Sequence, residues 1–153
     1  MKLSMILSQL SSGMAGTIWI FVLTLVFSLP LGLLIALGRM SKNRIVSGVF
    51  RFYISLMRGT PLMLQLMVVY FGPFYLFGMN IGKWRFPAII TGFALNYGAY
   101  FAEIYRSGII SMDRGQYEAA KLLGYSKGQT FVRIILPQVV KRILPAITNE
   151  VIT

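Results

Sequence analysis

The side chains that most often carry catalysis are missing from this chain. Its 153 residues include no histidine and no cysteine. That excludes the usual zinc ligands, a thiol nucleophile, disulfides and any serine-histidine-aspartate arrangement. What remains is a small set of polar groups embedded in apolar stretches. Gly92, Asn96, Ala99 and Glu103 follow one another at spacings of four, three and four, which places an amide and a carboxylate on one helical face. Gln65 is the comparable group in the preceding apolar stretch. Lipid would penalise such groups, so they either hydrogen-bond between helices or touch solute in a pathway. Gln65, Asn96 and Glu103 are therefore candidate pathway residues, although Arg106 lies one turn beyond Glu103 and can pair with it. No catalytic residue and no metal site is expected.

The elements that position these groups follow from the hydropathy. The chain is 56% hydrophobic and 12% charged, with a mean hydropathy of +0.70, which rules out an ordinary soluble domain. A helix needs about 20 apolar residues to cross a hydrocarbon core of roughly 30 Å. Residues 14–38, 59–82 and 86–102 meet or approach that length and are expected to be spans. Residues 145–153 begin a fourth apolar run within which the chain stops. The expectation is one membrane domain over residues 1–153, truncated at its C-terminal end, with one large cytoplasmic insertion at residues 113–137. The first apolar run follows Lys2 and is longer than a signal peptide's, so no cleavage is expected.

Charge sets the orientation. Arg39, Lys42, Arg44, Arg51 and Arg58 lie between the first two spans without an acid, whereas only Lys83 and Arg85 lie between the second and third. The first loop is read as cytoplasmic and the N-terminus as outside. The net charge of +11 is thus mostly topological. Its residues are dispersed between spans rather than gathered on a soluble face, which argues against a nucleic-acid partner.

Within the first span Thr17, Thr24, Ser28, Gly32 and Ala36 recur at spacings of seven, four, four and four, a face that another helix can approach closely. Pro30 should bend this span, and Gly72 with Pro73 the second. In the insertion, Asp113 can cap a helix whose third position is Gln116. Gly124 should end that helix in a left-handed conformation, and Ser126 with Gln129 forms a second capping box that restarts it. A helix, tight turn and helix are expected, stopping near Pro137. Physical reasoning leaves two uses open for this pair: an amphipathic element on the membrane surface, in a channel, receptor-like or scaffold protein, or a docking knob for a cytoplasmic partner.

Glu118-Ala119-Ala120, then Gly124 after three residues and Ile134-Ile135-Leu136-Pro137 after nine more, resembles the EAA loop of permease subunits of bacterial ATP-binding-cassette importers. Arg58-Gly59-Thr60-Pro61-Leu62 through Gln65, and Asn96-Tyr97-Gly98-Ala99-Tyr100 through Glu103, Arg106 and Gly108, followed by Gly115-Gln116-Tyr117-Glu118, resemble the branch that takes up polar amino acids. The resemblance runs from the first span to Glu150. It implies an all-α, polytopic fold like that of type I importer permeases, in the bacterial plasma membrane, without catalytic residues. It also implies a cytoplasmic ATP-binding subunit, a second permease subunit, an extracytoplasmic solute-binding protein, an amino-acid substrate and surrounding membrane lipid as partners. ATP and magnesium would belong to the partner ATPase, with no cofactor bound by this chain. Gln116, Glu118, Ala119, Ala120 and Gly124 would couple to the ATPase. Family members usually have more spans than the three and a part counted here.

Overall fold

The structure is a computed structural model that describes residues 3–78, 80, 82 and 84–152. Lys2, Lys83 and Thr153, which entered the reading of the ends and of the loop charges, lie outside the described residues. The described elements are helical: α1 (Leu3–Arg39), α2 (Arg44–Gly59), α3 (Leu62–Phe77), α4 (Arg85–Ile110), α5 (Arg114–Leu122), α6 (Lys127–Thr130) and α7 (Leu136–Ile152), with a π-helical turn (Phe131–Ile135) joining the last two.

The helices do not coincide with the expected segments. Helix α1 begins at Leu3, ahead of the span expected from residue 14, and contains Pro30. Its 37 residues span about 55 Å at 1.5 Å per residue, well beyond the hydrocarbon thickness. The loop expected between the first two spans is an amphipathic helix, α2, opened by Asn43, whose side chain accepts from the Ile45 N–H at 2.9 Å. The apolar segment at 59–82 is helical only from Leu62 to Phe77. The break falls ahead of it, where Thr60 and Pro61 are extended, and α2 and α3 meet at 112°. Pro73, expected to bend the segment, stays inside the helix.

The C-terminal half differs as well. Helix α4 continues past residue 102, the expected end of the third span, to Ile110 and includes the Glu103–Arg106 pair one turn apart. The second helix of the insertion does not stop at Pro137. It runs on over residues 127–152, so residues 145–152, where a fourth span was expected to start, lie within a helix continuous with the insertion. The π turn explains why. There the Leu136 N–H bonds the Phe131 carbonyl, five residues back, and the register shift falls immediately before Pro137, the residue that lacks an N–H to continue the ordinary ladder.

By length and composition, α1 alone can cross a membrane among the described residues, and α2 with α3 passes the same test if the bent pair is one span. Helix α4 is 26 residues long and includes Arg85, Glu103 and Arg106.

Helix α4 is the centre on which α1, α2, α3 and α7 pack, and α1 makes the most extensive of these contacts. Small residues permit the approach. A Cβ on Gly32 would lie 2.7 Å from the Phe101 Cβ and 3.1 Å from the Gly98 carbonyl, and one on Gly92 would lie 2.6 Å from Leu66. Thr24, Ser28 and Ala36, from the face identified in α1, are buried. Two apolar clusters result. Ile35, Ala36 and Ile54 pack with Ala99 and Ala102, and Ile135, Val139 and Ile143 pack against Ile104, Tyr105 and Ile109. The second cluster joins the base of α4 to the insertion, so the elbow is fixed to the bundle.

Candidate functional site

The elbow formed by α5 and α6 is built from local signals. Asp113 accepts from the Gly115 N–H at 2.9 Å, opening α5. At the other end Gly124 has φ +79°. Its N–H bonds the Lys121 carbonyl at 3.1 Å, while the Tyr125 N–H bonds the Ala120 carbonyl at 3.0 Å. These two bonds make a complete Schellman ending, whose left-handed residue is glycine because a Cβ there would be strained. Ser126 and Gln129 then close a reciprocal capping box, at 3.0 and 3.3 Å. The angle between the helices is therefore set by the backbone bonds of the Schellman ending at the glycine and by the capping box that follows it.

The residues expected to couple to an ATPase divide by burial. Gln116, Glu118, Ala119 and Gly124 are exposed. Ala120 is only 1% exposed, which sets it apart from the exposed Ala119. Helical spacing groups Gly115, Glu118, Ala119 and Leu122 on the outward face. Leu122 is 89% exposed, an apolar tip with no packing role in this chain. Behind it, Gln138 reaches Gln116 at 3.4 Å, and Arg142 donates to the Ser111 carbonyl at 3.0 Å, tying α7 to the end of α4.

The three candidate pathway residues are occupied within the protein. The Gln65 amide nitrogen donates to the carbonyls of Met57 (2.9 Å) and Thr60 (3.1 Å) and to the Thr60 hydroxyl (2.8 Å). Asn96, almost fully buried, donates to Gln65 Oε1 at 2.9 Å and to the Met57 carbonyl at 3.2 Å. Together they stitch the α2–α3 break to α4. Glu103 takes two bonds from Arg106 Nε at 3.0 Å and a further close contact from its Nη2. Gln65 and Asn96 thus bond across helices, whereas Glu103 pairs within α4.

A different constellation faces open space. A cavity of about 330 Å³ lies between α1, α4 and α7, lined by Thr17, Thr24, Phe93, Tyr97, Phe101 and Glu150 with Phe21 and neighbouring aliphatic side chains. Phe93 and Tyr97 are stacked at 6.1 Å. The Thr24 hydroxyl is buried without a hydrogen-bond partner, and no ion pair engages Glu150 among the described residues. One carboxylate, one unsatisfied hydroxyl and aromatic faces in a cavity of this size suit a small organic cation or zwitterion. Sequence reasoning placed Thr24 on the helix-packing face and gave Glu150 no role. The signal available for Glu150 was a lone carboxylate within an apolar run.

Comparisons with known proteins agree with this architecture. Residues 28–153 match the family described as "Binding-protein-dependent transport system inner membrane component". The chain is 41% identical over 145 residues to the L-cystine transport system permease protein TcyB of Bacillus subtilis, covering 94% of this chain and 60% of TcyB. It is 44% identical over 141 residues to the arginine transport system permease protein ArtQ of the same organism, covering 92% of this chain and 64% of ArtQ. The chain thus spans about three fifths of the length of such curated relatives. A solved structure described as "Crystal structure of an amino acid ABC transporter with histidines" superposes with a TM-score of 0.82 at 37% identity, over 99% of this chain and 71% of that one. On the family match and these identities, the chain belongs to the binding-protein-dependent transport system inner membrane components, the non-catalytic permease subunits of bacterial ABC transporters.

Proposed function

We propose that this chain forms part of the translocation pathway of an ATP-driven importer of polar amino acids and is driven by a cytoplasmic ATP-binding subunit gripping α5. The carrying observation is the elbow. An exposed face of Glu118, Ala119 and Leu122 stands on a helix whose angle is held by the Gly124 ending, and the helix after it is continuous with α7. Movement of α5 is therefore transmitted along residues 127–152 to the cavity wall at Glu150. The partners are a second permease subunit and an extracytoplasmic solute-binding protein. ATP and magnesium reside on the ATPase, and this chain binds neither. The N-terminus lies outside, and α1, α3 and α4 carry the spans at 14–38, 59–82 and 86–102.

In this reading the cavity between α1, α4 and α7 receives solute, with Glu150 facing its ammonium group and Phe93 and Tyr97 its aliphatic part. The names of TcyB, ArtQ and the amino-acid transporter of known structure support this solute class. The competing reading, a scaffold using the elbow as a lipid-surface pair, is less well supported. The relatives named above are transport permeases, which does not favour it. Affinity purification of the complete subunit tests the choice. Co-purification of an ATP-binding subunit that is lost on Glu118→Arg with Leu122→Asp supports the importer, and retention of that subunit by the double variant refutes it.

A further inference from the structure

The junction between α1 and α2 carries a recess that shares no lining residue with the cavity between α1, α4 and α7. This recess of about 230 Å³ is lined by Arg39, Ser41, Lys42, Arg44, Ser47 and Arg51. Four cations share this small polar space, and no acidic residue precedes Glu103 in the chain. None of the four makes an ion pair among the described residues. Arg39 lies within electrostatic reach of Glu103, but that carboxylate is committed to Arg106. The recess is nevertheless ordered. Arg39 donates to the Ser47 hydroxyl at 3.2 Å, Ser47 donates back to the Arg39 carbonyl at 2.8 Å, and Ser41 accepts from the Asn43 N–H at 3.2 Å.

Helix α2 itself points to what fills the recess. Its packed side carries Phe50, Tyr53, Ile54 and Met57. At helical spacing, Ile45, Val49, Phe52 and Leu56 form a second apolar stripe that faces away from the bundle, with Ile45 77% and Phe52 71% exposed. Arg44, Arg51 and Arg58, seven residues apart, form a ridge beside that stripe. A free phosphate would be matched by the cations alone. A phospholipid is matched by both features, its headgroup by the recess and its acyl chains by the stripe. We propose that the α1–α2 junction is a binding site for an anionic phospholipid, with α2 lying in the membrane interface.

The test uses the purified chain in nanodiscs of phosphatidylcholine with or without phosphatidylglycerol, and native mass spectrometry of the lipid that stays bound. The parent chain should enrich phosphatidylglycerol. Arg39→Gln with Lys42→Gln and Arg44→Gln should lower that enrichment about tenfold or more, since each basic residue near an anionic surface contributes several-fold. Should loss of Arg39 disturb the Ser47 bonds, Arg44→Gln with Arg51→Gln leaves them intact and should still lower it several-fold. Phe52→Ser with Ile45→Ser should weaken retention at unchanged charge. Three results would overturn the proposal: undiminished enrichment in the charge variants, an equal loss in the remote control Lys127→Gln with Arg133→Gln, or displacement of the lipid by inorganic phosphate alone.

Discussion

Replacing Gly124 with valine attacks the elbow at the one point where its angle depends on a single residue. Gly124 has φ +79°, and a Cβ added there would meet nothing within 4 Å. The cost is therefore conformational and not steric against neighbours. A side chain in the left-handed region costs about 1–2 kcal/mol, and more for a β-branched residue. The alternative is to leave that region and lose the Gly124–Lys121 and Tyr125–Ala120 bonds, at 3.1 and 3.0 Å, each worth about 0.5–1.5 kcal/mol. Either route costs about 1–3 kcal/mol locally, while the apolar clusters around α4 and α7 are untouched. Gly124→Val should therefore give a folded, membrane-inserted subunit whose α5 no longer holds its angle. In the complete importer, uptake of amino acid per ATP hydrolysed should fall about fivefold to a hundredfold, as expected when that much local free energy is removed. Gly124→Asn, which tolerates the left-handed region better, should fall in between. Normal uptake with normal solute-stimulated hydrolysis in Gly124→Val would refute the reasoning.

Other expectations follow from particular contacts. Asn96→Leu removes the donor to Gln65 Oε1 and should lower stability by about 1–3 kcal/mol; the detergent melting temperature should drop while amino-acid selectivity stays unchanged, and altered selectivity would return Asn96 to the pathway. Gly32→Val would press on Phe101 and on the α4 backbone, costing about 1–3 kcal/mol, which thermal unfolding in detergent would register as a clear loss. Glu150→Gln keeps the shape of the cavity and removes its charge; uptake of amino acids with cationic side chains should fall about tenfold, and unchanged uptake in transport assays would dissociate the cavity from solute.

Much of the elbow was legible because its signals are local. Asp113, Gly124, Ser126 and Gln129 act on backbone groups within a few residues, so their spacing is sufficient to place caps and the turn. The stripe of small residues in α1 was legible for a similar reason, since helical periodicity alone identifies the face that meets α4. Misreadings arose where distant partners decide. Helix α2 went unseen because its arginines read as loop charge, although its apolar positions recur at helical spacing. Pro137 looked like a stop because the compensating π turn lies upstream and is invisible to propensity. The partners of Gln65 and Asn96 at Met57 and Thr60 come from another helix and from the break, so spacing left their role open. Ala120 looked equivalent to Ala119 until burial separated them. The cavity escaped notice because Thr17, Tyr97 and Glu150 converge only through the packing of α1, α4 and α7.

Site-directed cross-linking in intact cells tests the central claim most directly, because the chain has no cysteine of its own. A photoreactive probe on Ala119→Cys, on the outward face of α5, should capture the ATP-binding subunit and do so more strongly when ATP is depleted or trapped. The same probe on Ala120→Cys, buried behind it, should capture little. Adducts from Ala119→Cys with phospholipid alone, or equal capture from both positions, would contradict the account.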